Sequence, residues 1–190
     1  MPRQRIDVED VIESALEVVD EGGVDDLALA KVADDLGVQS SALYNHIEGL
    51  DGLRHQVSVR ASVNLADTLL HSAVARSGHD AVRAIAQAYR SFAEDHPGQY
   101  ASTLLVPAER DEELLAAQEA IVSVIARVLQ SCGLSTHEAA HHARVVRSTI
   151  HGFVALEATD SFTGELKVDD SYERLIEFVI RGLPRAEPSS

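Results

Sequence analysis

Apolar residues recur at three- and four-residue spacing along nearly the whole chain, and the strict alternation of half-buried strands is missing. After Asp7, the stripe Val11, Ile12, Ala15, Leu16, Val18 and Val19 predicts a first helix. Asp7 is placed to cap it with Asp10 three residues on, close to a capping box, and Gly22-Gly23 stop it. Leu29, Val32, Ala33 and Leu36 stand at i, i+3, i+4 and i+7, one face of a short helix that Gly37 closes. Ser40 then can cap a second short helix, whose Leu43 and Ile47 share a face. A long helix is expected over 52–75, ending at Ser77-Gly78, and another over 80–96 that carries Val82, Ile85, Tyr89 and Phe92. Pro97 breaks it, a short segment 99–106 follows, and Pro107 precedes a helix over 109–132 that ends at Gly133. Ser135 and Glu138 form a capping box opening a helix to about 158, and after a loop at 159–168 a last helix follows Asp170. Pro184 stops it, leaving a frayed tail at 185–190. The fold class is all-α.

Composition narrows the class without naming it. The chain has 190 residues with ordinary apolar content, four tyrosines, four phenylalanines and no tryptophan, so small aliphatic residues must fill its core. Cys132 is the lone cysteine, which precludes an internal disulfide, and its place on an apolar face predicts a buried thiol. The first residues lack the apolar core of a secretion signal, and no run approaches membrane-spanning length; the expectation is a cytoplasmic protein without a membrane partner.

The stretch 27–47 changes the picture. Two short helices joined by a glycine turn, the second with Ser41, Tyr44 and Asn45 pointing away from its apolar face, make a helix-turn-helix. Such a unit lays its second helix in the DNA major groove. Val32-Ala-Asp-Asp-Leu-Gly-Val38 followed by Ala42-Leu-Tyr-Asn-His-Ile47 resembles the TetR family of bacterial transcriptional regulators, in which a Leu-Tyr-x-His core marks the recognition helix. Leu43, Tyr44 and His46 match that core. His96-Pro-Gly-Gln-Tyr100 and Ile150-His-Gly-Phe-Val-Ala-Leu-Glu157 resemble the C-terminal domain of a subgroup with a His-Gly-Phe segment on its penultimate helix.

The resemblance implies a helix-turn-helix domain at 1–52, an effector and dimerisation domain at 53–184, and a homodimer binding a pseudo-palindromic double-stranded operator. The two recognition helices of such a dimer lie about 34–36 Å apart. Lys31, Gln39, Ser40, Ser41, Tyr44, Asn45 and His46 are the candidate DNA contacts, with Tyr44 and His46 assigned to phosphate. Arg3 and Arg5 stand where family members often carry a basic arm. Near position 50, where the family usually has a phosphate-contacting lysine, this chain has Leu50 and Asp51.

Charge sits awkwardly with that reading. The chain has 16 Lys and Arg against 31 Asp and Glu, a formal charge of −15. Residues 1–55 alone carry four basic and thirteen acidic side chains, a formal charge of −9. A TetR-like protein that has lost operator affinity and works through a ligand or protein partner is therefore the alternative.

Tyr89, Phe92, Tyr100, Thr149 and Phe153 are candidates to line an effector cavity between helices, where bundles hold ligands; for any one of them taken singly, a place in the core is the better reading. His151, Gly152, Leu175 and Val179 are the candidate dimer residues, because Gly152 permits close approach on helices apolar on more than one side. His137-Glu138-Ala-Ala-His141 fits the zinc-protease spacing literally. Its glutamate, however, is also the capping residue of a helix start, and no third ligand has a place. No glycine-rich phosphate loop or Ser-His-Asp order stands out, so neither an enzyme, a cofactor nor a metal is expected.

Overall fold

Asp7 begins the first helix as its spacing predicts. Its side chain accepts the Asp10 N–H at 3.0 Å, and Asp10 returns the bond to the Asp7 N–H at 2.8 Å, a complete capping box. The computed structural model describes residues 6–106 and 111–184. Over these run α1 (Val8–Gly22), a 3-10 turn (Val24–Asp26), α2 (Leu29–Asp35), α3 (Ser40–Leu43), α4 (Gly49–Ala73) and α5 (Gly78–Asp95). They are followed by α6 (Pro97–Ser102), α7 (Glu112–Gln130), α8 (Thr136–Glu157) and α9 (Val168–Arg181). No strand occurs among the described residues. The arm with Arg3 and Arg5, the break at Pro107 and the tail at 185–190 lie outside them.

Two compact units divide the chain, residues 1–64 with 95–118, and 65–94 with 119–190. In the first, Val11, Ala15 and Val19 of α1 pack with Val32 of α2, Leu43 of α3 and Leu53 and Val57 of α4, all virtually inaccessible to water. In the second, Leu69, Ile85, Tyr89, Ile125, Ile150 and Tyr172 are as deeply buried. Cys132 is buried in this unit too, and burial pushes its thiol pKa up.

Three local expectations need correction. Gln39, not Ser40, is the N-cap of α3, and no side chain caps it. Ser40 is already helical, and α3 is one turn extended by the bonds His46 N–H to Leu43 O (2.8 Å) and Ile47 N–H to Leu43 O (3.1 Å). Leu43 and Ile47 are still both buried, because the turn keeps them on one face. The short segment after the break is helical and begins at Pro97 itself rather than at 99: proline at the first helical position lacks only an N–H that no helix would use there. Finally, Ser135 accepts the Glu138 N–H at 3.2 Å, but Glu138 turns its carboxylate to His137 (3.6 Å) and His142 (3.9 Å), so half of the box forms.

A partly buried ion-pair cluster fastens the second unit. Arg90 Nε donates to Glu157 at 2.9 Å and its Nη2 to Asp169 at 2.7 Å, while Glu94 lies 2.9 Å from Nε. The guanidinium sits 4.9 Å over the Tyr172 ring, and the Tyr172 hydroxyl donates to the Ala86 carbonyl at 2.6 Å. Burial drives the Tyr172 pKa well above the usual phenol range. Arg90 is only 14% exposed and Glu157 21%, so removing the cation strands a carboxylate largely shut off from water. Arg90→Met is expected to destabilise the protein by about 2 kcal/mol, below the range for fully buried pairs because Asp169 and Glu94 remain hydrated. Urea denaturation followed by circular dichroism measures it.

Candidate nucleic-acid interface

The turn between α2 and α3 is closed by backbone geometry. Gly37 has φ of 65°, the left-handed conformation that glycine adopts without a Cβ penalty. The Val38 N–H reaches back to the Ala33 carbonyl (2.9 Å) and the Gly37 N–H to Asp34 (3.1 Å), the paired bonds of a Schellman motif. This reversal sets the axis of α3 against α2. Leu43 then anchors α3 in the core, and the positions opposite it face outward. Gln39, Ser41, Tyr44 and Asn45 are exposed, Tyr44 at 62%, while Ser40 and His46 are half-buried. Among the described residues, the side chains of Ser41, Tyr44 and Asn45 make no hydrogen bond. A row of neutral donors and acceptors is thus presented on one short helix and its following turn.

The support behind this row is polar and specific. Ser14 of α1 donates to Asp35 at the end of α2 at 2.6 Å. Arg60 of α4 forks across Glu9 and Glu13 of α1, donating through Nη2 to Glu9 at 2.7 Å and through Nη1 to Glu13 at 2.8 Å. Arg60 holds the Glu9 carboxyl below the usual glutamate range, and Glu9 in turn raises the guanidinium. From the other side α6 closes on the end of α1. Asp20 accepts the Gln99 N–H at 2.8 Å and the Gln99 side-chain amide at 2.7 Å, His96 Nδ1 lies 3.0 Å from it, and Gln99 accepts from Asn64 at 2.9 Å. Sequence reading missed this dock, although the proline-glycine pair at 97 and 98 was its trace.

Cations are scarce where DNA would lie. Among the described residues of the first unit, the Lys and Arg side chains are Lys31, Arg54 and Arg60, and each meets a carboxylate: Asp26, Asp51, and Glu9 with Glu13. Lys31 also borders an acidic hollow lined by Glu17, Glu21, Asp34 and Asp35. Leu50, near where the resemblance implies a lysine, is half-buried against the first core.

The residues named for an effector site are divided. Tyr89, Phe92 and Phe153 are buried in the second unit, with the Phe153 ring 5.0 Å from Tyr172 and 4.6 Å from Phe162. Thr149 is half-buried and donates to the Val145 carbonyl of its own helix, and Tyr100 belongs to α6 of the first unit. At the proposed dimer face, Gly152 is exposed, and His151, Leu175 and Val179 are half-buried. The His137–His141 pair stands at the exposed start of α8, and no group of three or more metal-ligating side chains is assembled among the described residues.

Residues 82–179 match the family described as tetracyclin repressor-like, C-terminal domain. The chain belongs to the TetR family. A Bacillus subtilis HTH-type transcriptional regulator is 32% identical over 96% of this chain and 95% of its own length. A Mycobacterium tuberculosis HTH-type transcriptional regulator is 36% identical over 80% of this chain and 70% of its own. Among solved structures, a Rhodococcus protein of unknown function superposes with a TM-score of 0.81 at 22% identity, covering 97% of this chain and all of that one. A possible TetR family regulator of Streptomyces coelicolor does so at 0.68 and 17%, covering 93% and 98%. This TetR-family member is thus a helix-turn-helix transcriptional regulator, and no described helix is long and apolar enough to cross a membrane.

Proposed function

We propose that the protein is an operator-binding repressor that reads DNA chiefly through neutral side chains and that a small molecule releases. The observation that supports this most directly is the outward row of Ser41, Tyr44 and Asn45 on a helix set by the Gly37 turn, with no partner within the described protein. Asparagine and serine match base edges, and tyrosine and histidine suit phosphate oxygens. Two protomers paired through α8 and α9 present two such rows to a pseudo-palindromic operator. The acidic surroundings shape the energetics: each phosphate neutralised adds roughly −0.9 to the slope of log K against log salt. With Lys31 and Arg60 paired and the unit acidic overall, weak binding to random DNA and a shallow salt slope follow.

Selection of genomic fragments with the purified protein at low salt is the test. The wild type is expected to enrich a palindromic site, and Asn45→Ala to weaken that site by roughly 10-fold, the loss of one base contact. Asp51 is 98% exposed and accepts a lysine without loss of packing, whereas Leu50 packs against the core. Asp51→Lys should tighten operator and random DNA alike and steepen the salt slope by about one phosphate contact. If neither the wild type nor Asp51→Lys enriches any fragment, the operator reading fails. The acidic charge of the unit then favours a ligand- or protein-binding module on the same fold.

A further inference from the structure

The geometry points to a binding site for a small apolar molecule with one anionic head group, built into the unit that carries the helix-turn-helix. A cleft of about 260 Å³ opens there, walled by Val24, Leu27, Val57, Leu104 and Leu105. Leu27 and Val57 are core residues, but Leu104 and Leu105 are 42% and 37% exposed, so the outer wall leaves apolar surface in water. An apolar cleft of this size gains little from water, which needs two to four polar partners to settle. The two hydroxyls in its wall offer none of their protons: Ser58 donates to the Arg54 carbonyl at 2.9 Å and Ser102 to the Gly98 carbonyl at 2.8 Å. Recognition of the occupant's body is therefore by shape and burial.

Arg54 is the one charged residue among those lining the cleft. Its carboxylate partner, Asp51, is 98% exposed and lies 3.3 Å away, a hydrated surface pair of the kind that contributes little. An anionic head group held in the cleft that Arg54 lines can therefore take the place of Asp51 on this guanidinium through a charge-assisted hydrogen bond. The volume falls just below the roughly 300–1,000 Å³ of drug-sized sites, which limits the occupant to something like a medium-chain carboxylate. Leu27 is followed directly by Ala28, the N-cap of α2, so a molecule in this cleft touches the residue that leads into the helix-turn-helix. Its use as an effector site rests on the operator reading above; its existence as a binding site does not.

Decanoate titrated into the full chain without DNA, followed by isothermal calorimetry, tests the site, with decanol as the uncharged comparator. Saturable binding of decanoate is expected. Ala101→Phe, which places a ring into the cleft from its exposed rim, should weaken both ligands at least tenfold. Arg54→Met should weaken decanoate about tenfold and leave decanol within twofold. Val74→Phe, in a separate hollow of the second unit, should change neither, and melting curves confirm that each variant is folded. Absence of saturable decanoate binding, or binding that survives Ala101→Phe or Arg54→Met within twofold, overturns the proposal. Because no DNA is present, that outcome is distinct from a failure of operator binding.

Discussion

Gly98→Ala is expected to destabilise the protein by about 3 kcal/mol, the upper end of the usual cost of overpacking. A Cβ at Gly98 would stand 1.8 Å from the Val19 carbonyl oxygen, 2.1 Å from its carbon and 2.6 Å from the Asp20 nitrogen. These are backbone atoms of α1 and cannot rotate aside as a side chain would. Either α6 lifts from α1, breaking the Asp20–Gln99 bonds, or the end of α1 bends. For a chain of this length the loss corresponds to a melting temperature lower by roughly 6–12 °C. Equal melting temperatures for Gly98→Ala and the wild type would show that α6 does not press on α1 as described.

Phe178→Glu is expected to convert a dimer into monomers at micromolar concentration. Phe178 on α9 is 78% exposed, and on α8 Val145 and Leu156 are 63% and 49% exposed. Val145, Thr149, Gly152 and Leu156 stand at i, i+4, i+7 and i+11, one stripe, and α9 adds Leu175 next to Phe178 on its outward side. An apolar stripe with a glycine at its middle suits close approach of a second copy. In a two-fold interface every substitution acts twice. At roughly 2 kcal/mol for each buried aromatic anchor lost, the dimer weakens about a thousandfold. Sedimentation velocity reads this directly, and on the proposed operator reading DNA affinity should fall with it. If Phe178→Glu sediments as the wild type does, the interface lies elsewhere.

Both expectations start from residues that a sequence reader treats differently. Leu175 and Gly152 were legible as surface candidates from periodicity, yet Phe178, the most exposed aromatic, was not singled out. Periodicity tells which residues share a face but not which face a neighbouring helix will cover. Tyr89, Phe92 and Phe153 show the same limit from the other side: aromatic spacing on a helix is identical for a ligand wall and for a packed core, and here all three are buried. The pairing of Lys31 with Asp26 and of Arg60 with Glu9 and Glu13 joins separate elements, so a count of charges along the sequence does not show that these cations are already engaged.

What the amino-acid order determined by itself is local. The capping box at Asp7 and Asp10, the left-handed turn at Gly37 and the apolar faces of the long helices all depend on residues within one or two turns of each other, whose backbone and rotamer preferences are intrinsic. The helix-turn-helix was therefore readable, and so was the all-α class. Tertiary structure alone decided that Gly98 lies on the backbone of α1, that Arg90 joins Glu157, Asp169 and the Tyr172 ring, and that Arg54, Leu27 and Leu104 meet around one cleft. Those contacts join residues as far apart in the sequence as Arg90 and Tyr172. They form because each helix must bury its apolar stripe, and which polar groups then come to face one another is fixed only when all the stripes are buried together.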